Sequence, residues 1–248
     1  MSDPTRRVAI INDGSFYVGP PLARDLASRG HDLVIGDPAE GLVAELESLG
    51  ARVVAVPGGR RLQDPEVGNE LAHAAMNAFG RIDAATMFSG RVVTGSLLKS
   101  KREELDSLYE GCLVAPYNFL QAVLPIMQEQ RSGQVLIITS ATGSRPTPGA
   151  PLYSTMRAAA NMLTRNAAGE MARHNVQINA VGTNFMDFPE FLRASGANDP
   201  DVRKKIEGQV PLGRLGTVEE FGKFCMPFID GTSQFVTGQY VSFSGGWS

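Results

Sequence analysis

Three side chains in this 248-residue chain could together move a proton on or off an oxygen atom: Ser140, Tyr153 and Arg157, spaced S-x12-Y-x3-R. A serine hydroxyl can hydrogen-bond a substrate oxygen, and a tyrosine can take or give that oxygen's proton. A tyrosine hydroxyl ordinarily titrates near pH 10, so proton exchange near neutrality needs positive charge close by. Arg157 lies one helical turn beyond Tyr153, within reach of it, and arginine stays protonated at any ordinary pH.

Two kinds of element have to hold these groups. Ser140 closes the apolar run Val135-Leu-Ile-Ile-Thr-Ser140, which reads as a strand, and Tyr153 and Arg157 open a helix-like stretch, Tyr153-Ser-Thr-Met-Arg-Ala-Ala-Ala. The rest of the chain alternates in the same way. Strands are expected at 8–12, 32–37, 52–56, 84–88, 134–139, 177–181 and 239–243, and helices at about 20–29, 40–49, 66–79, 101–130, 151–173 and 217–229. Near-continuous apolar strands separated by helices specify a parallel sheet covered on both faces and joined by right-handed crossovers. The expected fold is α/β: one domain over 1–248, a doubly wound, Rossmann-like, parallel seven-stranded sheet with helices on both faces. Its sites belong at the carboxyl ends of the strands. The longest irregular stretch, about 182–198, follows the sixth strand and is expected to be a loop over the active site.

Composition removes several classes of function. A net charge of −3 argues against a nucleic-acid binder. Cys112 and Cys225 give neither a metal spacing nor a disulfide framework. His31, His73 and His174 are not paired as ligands or bases and read as surface residues, so no metal is expected. Met1 to Arg7 lacks the apolar core of a signal peptide, and no apolar run reaches membrane-spanning length. A soluble cytoplasmic protein is expected.

The trio resembles the catalytic residues of short-chain dehydrogenases/reductases, which carry lysine at the end of Y-x3-K. The cofactor loop of that family, T-G-x-x-x-G-x-G after the first strand, is altered here. The helix that follows sets the register Asn12-Asp13-Gly14-Ser15-Phe16-Tyr17-Val18-Gly19, so Asp13 and Tyr17 replace two of the three glycines and Gly19 survives. A carboxylate repels phosphate, and a tyrosine fills the space in which backbone and pyrophosphate meet. Pro20 and Pro21 then remove two N–H donors at the helix start. The family's N-N-A-G reads Met87-Phe88-Ser89-Gly90, its helix asparagine falls on Cys112, and its P-G reads Thr183-Asn184. Asp37, where NAD binders hold the ribose, is read as a remnant or a helix cap.

Among relatives of that family, the chain resembles the halohydrin dehalogenases most closely. These combine S-x12-Y-x3-R with a T-x4-F/Y-x-G loop, matched here by Asn12-x4-Tyr17-x-Gly19. The resemblance implies an enzyme without a cofactor that converts vicinal haloalcohols to epoxides. It also implies the reverse opening of epoxides by halide, azide, cyanide or nitrite. Ser140, Tyr153 and Arg157 would be catalytic. Tyr17, Thr183, Asn184, Phe185 and Met186 would bind halide and substrate. The long helices at 101–130 and 151–173 imply a homotetramer. Two alternatives stay open: an NAD(P)-dependent reductase with a degenerate cofactor loop, and a non-catalytic dehydrogenase-like scaffold.

Overall fold

Seven runs of aliphatic residues form one parallel sheet in the computed structural model, which describes residues 6–248. Met1 to Thr5, which include most of the polar run read as lacking a signal peptide, lie outside the described residues. The strands are β1 (Arg7–Ile11), β2 (His31–Gly36), β3 (Val53–Val56), β4 (Ala84–Phe88), β5 (Gly133–Ser140), β6 (Val176–Thr183) and, after two short strands, β9 (Tyr240–Phe243). Their order is β3-β2-β1-β4-β5-β6-β9. All seven expected strands are present, with ends shifted by a residue or two. The order reverses between β1 and β4, and that switch point opens the crevice at the carboxyl edge.

Helices cover both faces, as the apolar strands require. On one side α3 (Pro65–Phe79), α5 (Ala115–Gln130) and α6 (Pro151–Met171) pack Leu71, Phe119 and Met171 against Val8, Ile10 and Ile137. On the other side α1 (Gly19–Ser28), α2 (Leu42–Ser48) and α9 (Val218–Cys225) pack Leu22, Leu46 and Phe221 against Ile11, Ile35 and Leu136. No helix among the described residues is long and apolar enough to cross a membrane.

Three departures from the sequence reading matter. First, the helix expected over 101–130 is α4 (Arg102–Tyr109), then a π-helical turn over Glu110–Val114, then α5. Second, 182–198 is not a plain loop. It contains β7 (Met186–Asp187), paired with β8 (Gly216–Thr217), and α7 (Pro189–Ser195), with α8 (Pro200–Glu207) just beyond. The start and stop signals were in the sequence: Pro189 opens α7 and Gly196, at φ +76°, ends it. Asp199 caps α8 by accepting from the N–H groups of Asp201 and Val202.

Third, His31 is not a surface residue. It is 2 % exposed; Arg7 donates to its Nε2 at 3.3 Å, and its Nδ1 lies 3.2 Å from the Leu26 carbonyl. Burial, reinforced by the Arg7 charge, pushes its pKa down to about 4 from 6.5. Between those values the unfolded chain holds a proton that the folded chain refuses, so stability rises with pH across this window and is lost on acidification. The full effect is about 3 kcal/mol. Urea unfolding between pH 7 and pH 4 should show this slope, and His31→Gln should flatten it by that amount. An unchanged slope in the variant would assign the acid sensitivity elsewhere.

Candidate active site

Ser140 is the last residue of β5, and the chain then turns through Ala141–Ser144 directly onto α6. The fit is close at Gly143, where a Cβ would lie 2.8 Å from the Arg157 carbonyl carbon and 2.9 Å from the Ala158 nitrogen. Glycine is needed for the turn to lie flush on the helix that carries Tyr153 and Arg157. Two further bonds fasten the same junction: Thr139 Oγ1 donates to Asn161 Oδ1 at 2.8 Å, and Asn161 Nδ2 to the Gly143 carbonyl at 3.4 Å. Ser140 Oγ donates to the Thr183 carbonyl at 3.3 Å and accepts from Thr142 Oγ1 at 3.0 Å. Tyr240 supports it from behind, its hydroxyl donating to the Ser140 carbonyl at 3.1 Å.

Tyr153 and Arg157 are both 6 % exposed. Arg157 Nη2 donates to the Ser89 carbonyl at 2.7 Å, and its Cζ lies 5.0 Å from the centre of the Tyr153 ring. Its Nε is buried without a partner. Burial opposes this charge, but the Tyr153 and Cys112 side chains favour it, and its pKa stays above the ordinary arginine value. Cys112 sits in the π-helical turn, and the Ser89 hydroxyl donates to the Gly111 carbonyl at 2.6 Å. That bond ties the end of β4 to the turn and holds the Arg157 acceptor in place. The trio read from the sequence is therefore assembled at one carboxyl edge, supported by Thr142, Asn161 and Ser89.

The remaining residues fall into two groups. Asn184, Phe185 and Met186 line a cavity of about 150 Å³ with Val210, Leu212 and Phe243, and Ser140, Tyr153 and Arg157 are not in its wall. Asn184 Nδ2 is buried there without a partner. Thr183 and Tyr17 belong together instead, the Tyr17 hydroxyl donating to Thr183 Oγ1 at 2.9 Å. The Tyr17 ring packs among Phe188, Phe221, Phe88 and Phe16, with centroids at 4.8, 5.9, 6.1 and 6.3 Å. Burial pushes its phenol well above the ordinary tyrosine value.

Beside Tyr17 the loop folds on itself. Asp13, 3 % exposed, accepts from the Ser15 N–H and hydroxyl, both at 2.9 Å, and forms an ion pair with Arg60. Arg60 also donates to Ser15 Oγ at 2.6 Å and covers the Phe16 ring at 5.5 Å. Asp37 is not a helix cap: it accepts from the Gly58 and Arg60 N–H groups at 2.7 and 3.1 Å, and the N-cap of α2 is Gly41. Arg60 was not anticipated. The basic Gly58-Gly59-Arg60-Arg61 run was visible, but its partner Asp13 is 47 residues away.

The chain belongs to the family described as "Enoyl-(Acyl carrier protein) reductase", which matches residues 18–248. It is 27 % identical over 243 residues to the 3-oxoacyl-(acyl-carrier-protein) reductase FabG of Staphylococcus epidermidis, covering 96 % of this chain and 97 % of that one. It is 26 % identical over 248 residues to the 2,5-dichloro-2,5-cyclohexadiene-1,4-diol dehydrogenase LinX of Sphingobium indicum, covering 98 % and 96 %. The solved structure of ElxO with NADP bound superposes with a TM-score of 0.88 at 22 % identity, covering 98 % and 99 % of the two chains.

These relatives overturn the halohydrin dehalogenase reading. The kin are reductases and dehydrogenases, so the lyase reaction, the haloalcohol and epoxide substrates and the halide partner are withdrawn. The physical reason is that a serine, a tyrosine and a cation handle a substrate oxygen without specifying what leaves the neighbouring carbon. Tyr17 is a packed aromatic engaged with Thr183.

A dinucleotide, which this family implies, does not fit the groove as built. The Gly19 N–H donates to the Phe16 carbonyl at 3.1 Å, Pro20 and Pro21 have no N–H, and the Leu22 N–H donates to Val18 at 3.0 Å. The start of α1 therefore has no donor at residues 19–22 for a pyrophosphate, and Asp13 and Tyr17 stand in its path.

Proposed function

We propose that this chain is an oxidoreductase of the short-chain dehydrogenase/reductase type, acting on a small carbonyl compound or secondary alcohol whose oxygen lies between Ser140 and Tyr153. One observation carries the reading: the flush seating of the Ser140 turn on the Tyr153–Arg157 helix at Gly143, in a chain whose relatives are reductases and dehydrogenases. Ser140 hydrogen-bonds the substrate oxygen. Tyr153 gives that oxygen a proton when a carbonyl is reduced and takes one when an alcohol is oxidised. Arg157 supplies fixed positive charge against the Tyr153 ring.

A cavity of about 230 Å³ next to the start of α6, lined by Val93, Ser96, Lys99, Pro151 and Leu152 among others, has none of Ser140, Tyr153 and Arg157 in its wall. Kinship points to a nicotinamide dinucleotide as redox partner, but the groove does not fit it as it stands and no step is drawn through it. Tyr109, Tyr117 and Met162 are about half exposed on α4, α5 and α6, which supports a homotetramer built on these helices.

The test is dinucleotide consumption, NADH and NADPH in parallel, over a panel of small ketones, with sedimentation velocity on the same preparation. Substrate-dependent consumption by a four-chain species is the expected result. No NADH or NADPH consumption with any ketone, together with no reduction of NAD+ or NADP+ by the matching alcohols, would remove the oxidoreductase reading.

A further inference from the structure

The oxidoreductase reading and the blocked groove meet at Tyr17. This residue occupies the position of the second glycine in the dinucleotide loop and keeps a glycine-like backbone, with φ at +53°. That left-handed conformation is rare and costly for a residue with a side chain. Something has to offset the strain. The ring does so by packing among four phenylalanines, and the hydroxyl does so through Thr183 at the far side of the crevice. Tyr17 thus spans from the β1 loop to the end of β6, across the path a dinucleotide takes between helix start and nicotinamide site. The Asp13–Arg60 ion pair closes the neighbouring stretch and places a carboxylate where phosphate would approach.

We infer that Tyr17, tied to Thr183, is a plug in the dinucleotide groove, and that this plug, with Asp13 beside it, sets the chain's affinity for nicotinamide dinucleotides. The closed form binds none. Only the fraction of molecules with the ring displaced is competent, and the apparent dissociation constant is raised by the inverse of that fraction. The inference rests on the proposed function for its choice of ligand and uses a readout separate from turnover.

The backbone makes the test clean. Glycine adopts a positive φ without strain, so Tyr17→Gly keeps the loop conformation while removing the ring and its bond to Thr183. Binding of NADPH and NADH is measured by titration calorimetry on the parent, on Tyr17→Gly and on Asp13→Gly/Tyr17→Gly, with circular dichroism as the check on folding. Tyr17→Ser serves as the substitute if the glycine variant does not fold. The parent is expected to bind weakly, Tyr17→Gly at least tenfold more tightly, and the double variant more tightly again. A parent that binds as tightly as folded Tyr17→Gly would overturn the plug while leaving the oxidoreductase reading intact. Variants that bind tightly yet turn over no carbonyl or alcohol would uphold the plug and remove that reading.

Discussion

Replacing Tyr153 by Phe is expected to lower turnover about a thousandfold while changing stability by less than about 1 kcal/mol. The two halves of this expectation have separate causes. The ring is what the fold uses: it is buried with Leu108, Cys112 and Ala150 and forms the face on which the Arg157 guanidinium rests. Phenylalanine keeps all of that, including the cation–π contact. The hydroxyl is what the chemistry uses, because the Tyr240 phenol near Ser140 is already spent on the Ser140 carbonyl at 3.1 Å. General acid–base catalysis contributes roughly 10² to 10⁴ in rate. Initial rates at saturating substrate, paired with thermal unfolding, decide the matter. A variant within tenfold of the parent would take the proton-transfer role away from Tyr153. Ser140→Ala should lose less, because Thr142 Oγ1, bonded to Ser140 Oγ at 3.0 Å, remains close to the same oxygen.

Periodicity in the sequence carried the sheet almost completely. Each strand of the buried sheet is an apolar run bounded by polar residues or glycine, and burial on both faces leaves such a run no other stable state. Where local and tertiary causes compete, the reading stopped. The π-helical turn at Glu110–Val114 interrupts a pattern that looks continuously helical, and it lies where Gly111 closely approaches Gly90, a long-range contact that no local pattern marks. The two short helices after β6 were hidden by attention to the Phe, Pro and Gly content of the segment, although its cap residues were legible.

The site divides in the same way. Ser140, Tyr153 and Arg157 were found from spacing because one strand end and one helix turn fix two of the three relations. The third relation, strand end to helix, depends on Gly143 lying flush against α6, and nothing local in the sequence marks that glycine out. The Asp13–Arg60 pair joins the β1 loop to the β3–α3 loop, and only the sheet order makes these loops neighbours. The reaction was misread for a chemical reason. The trio reports what happens at an oxygen, and what happens at the adjacent carbon depends on whatever occupies the crevice beyond Tyr17. Kinship over nearly the whole chain supplied that information where three residues could not.

Arg157→Met is expected to separate activity from stability. The guanidinium is buried; its Nη2 bonds the Ser89 carbonyl, its Nε has no partner, and no carboxylate among the described residues pairs with it. Removing a buried charge that lacks a counter-ion relieves desolvation, and methionine fills much of the same volume. The loss at the Ser89 carbonyl, a hydrogen bond to a charged group, is about 1.5–3 kcal/mol, which offsets the roughly 1–3 kcal/mol relieved by removing an unsatisfied buried donor. Urea unfolding should therefore find the variant within about 1 kcal/mol of the parent. Turnover should fall about a hundredfold, since charge fixed near a reacting group is typically worth that much. Arg157→Lys restores the charge but not the flat guanidinium over the Tyr153 ring, and its rate should lie between the two. If stability and activity fall together in Arg157→Met, the guanidinium is a structural prop. If stability holds while the rate collapses and lysine recovers part of it, the charge itself is what the site keeps.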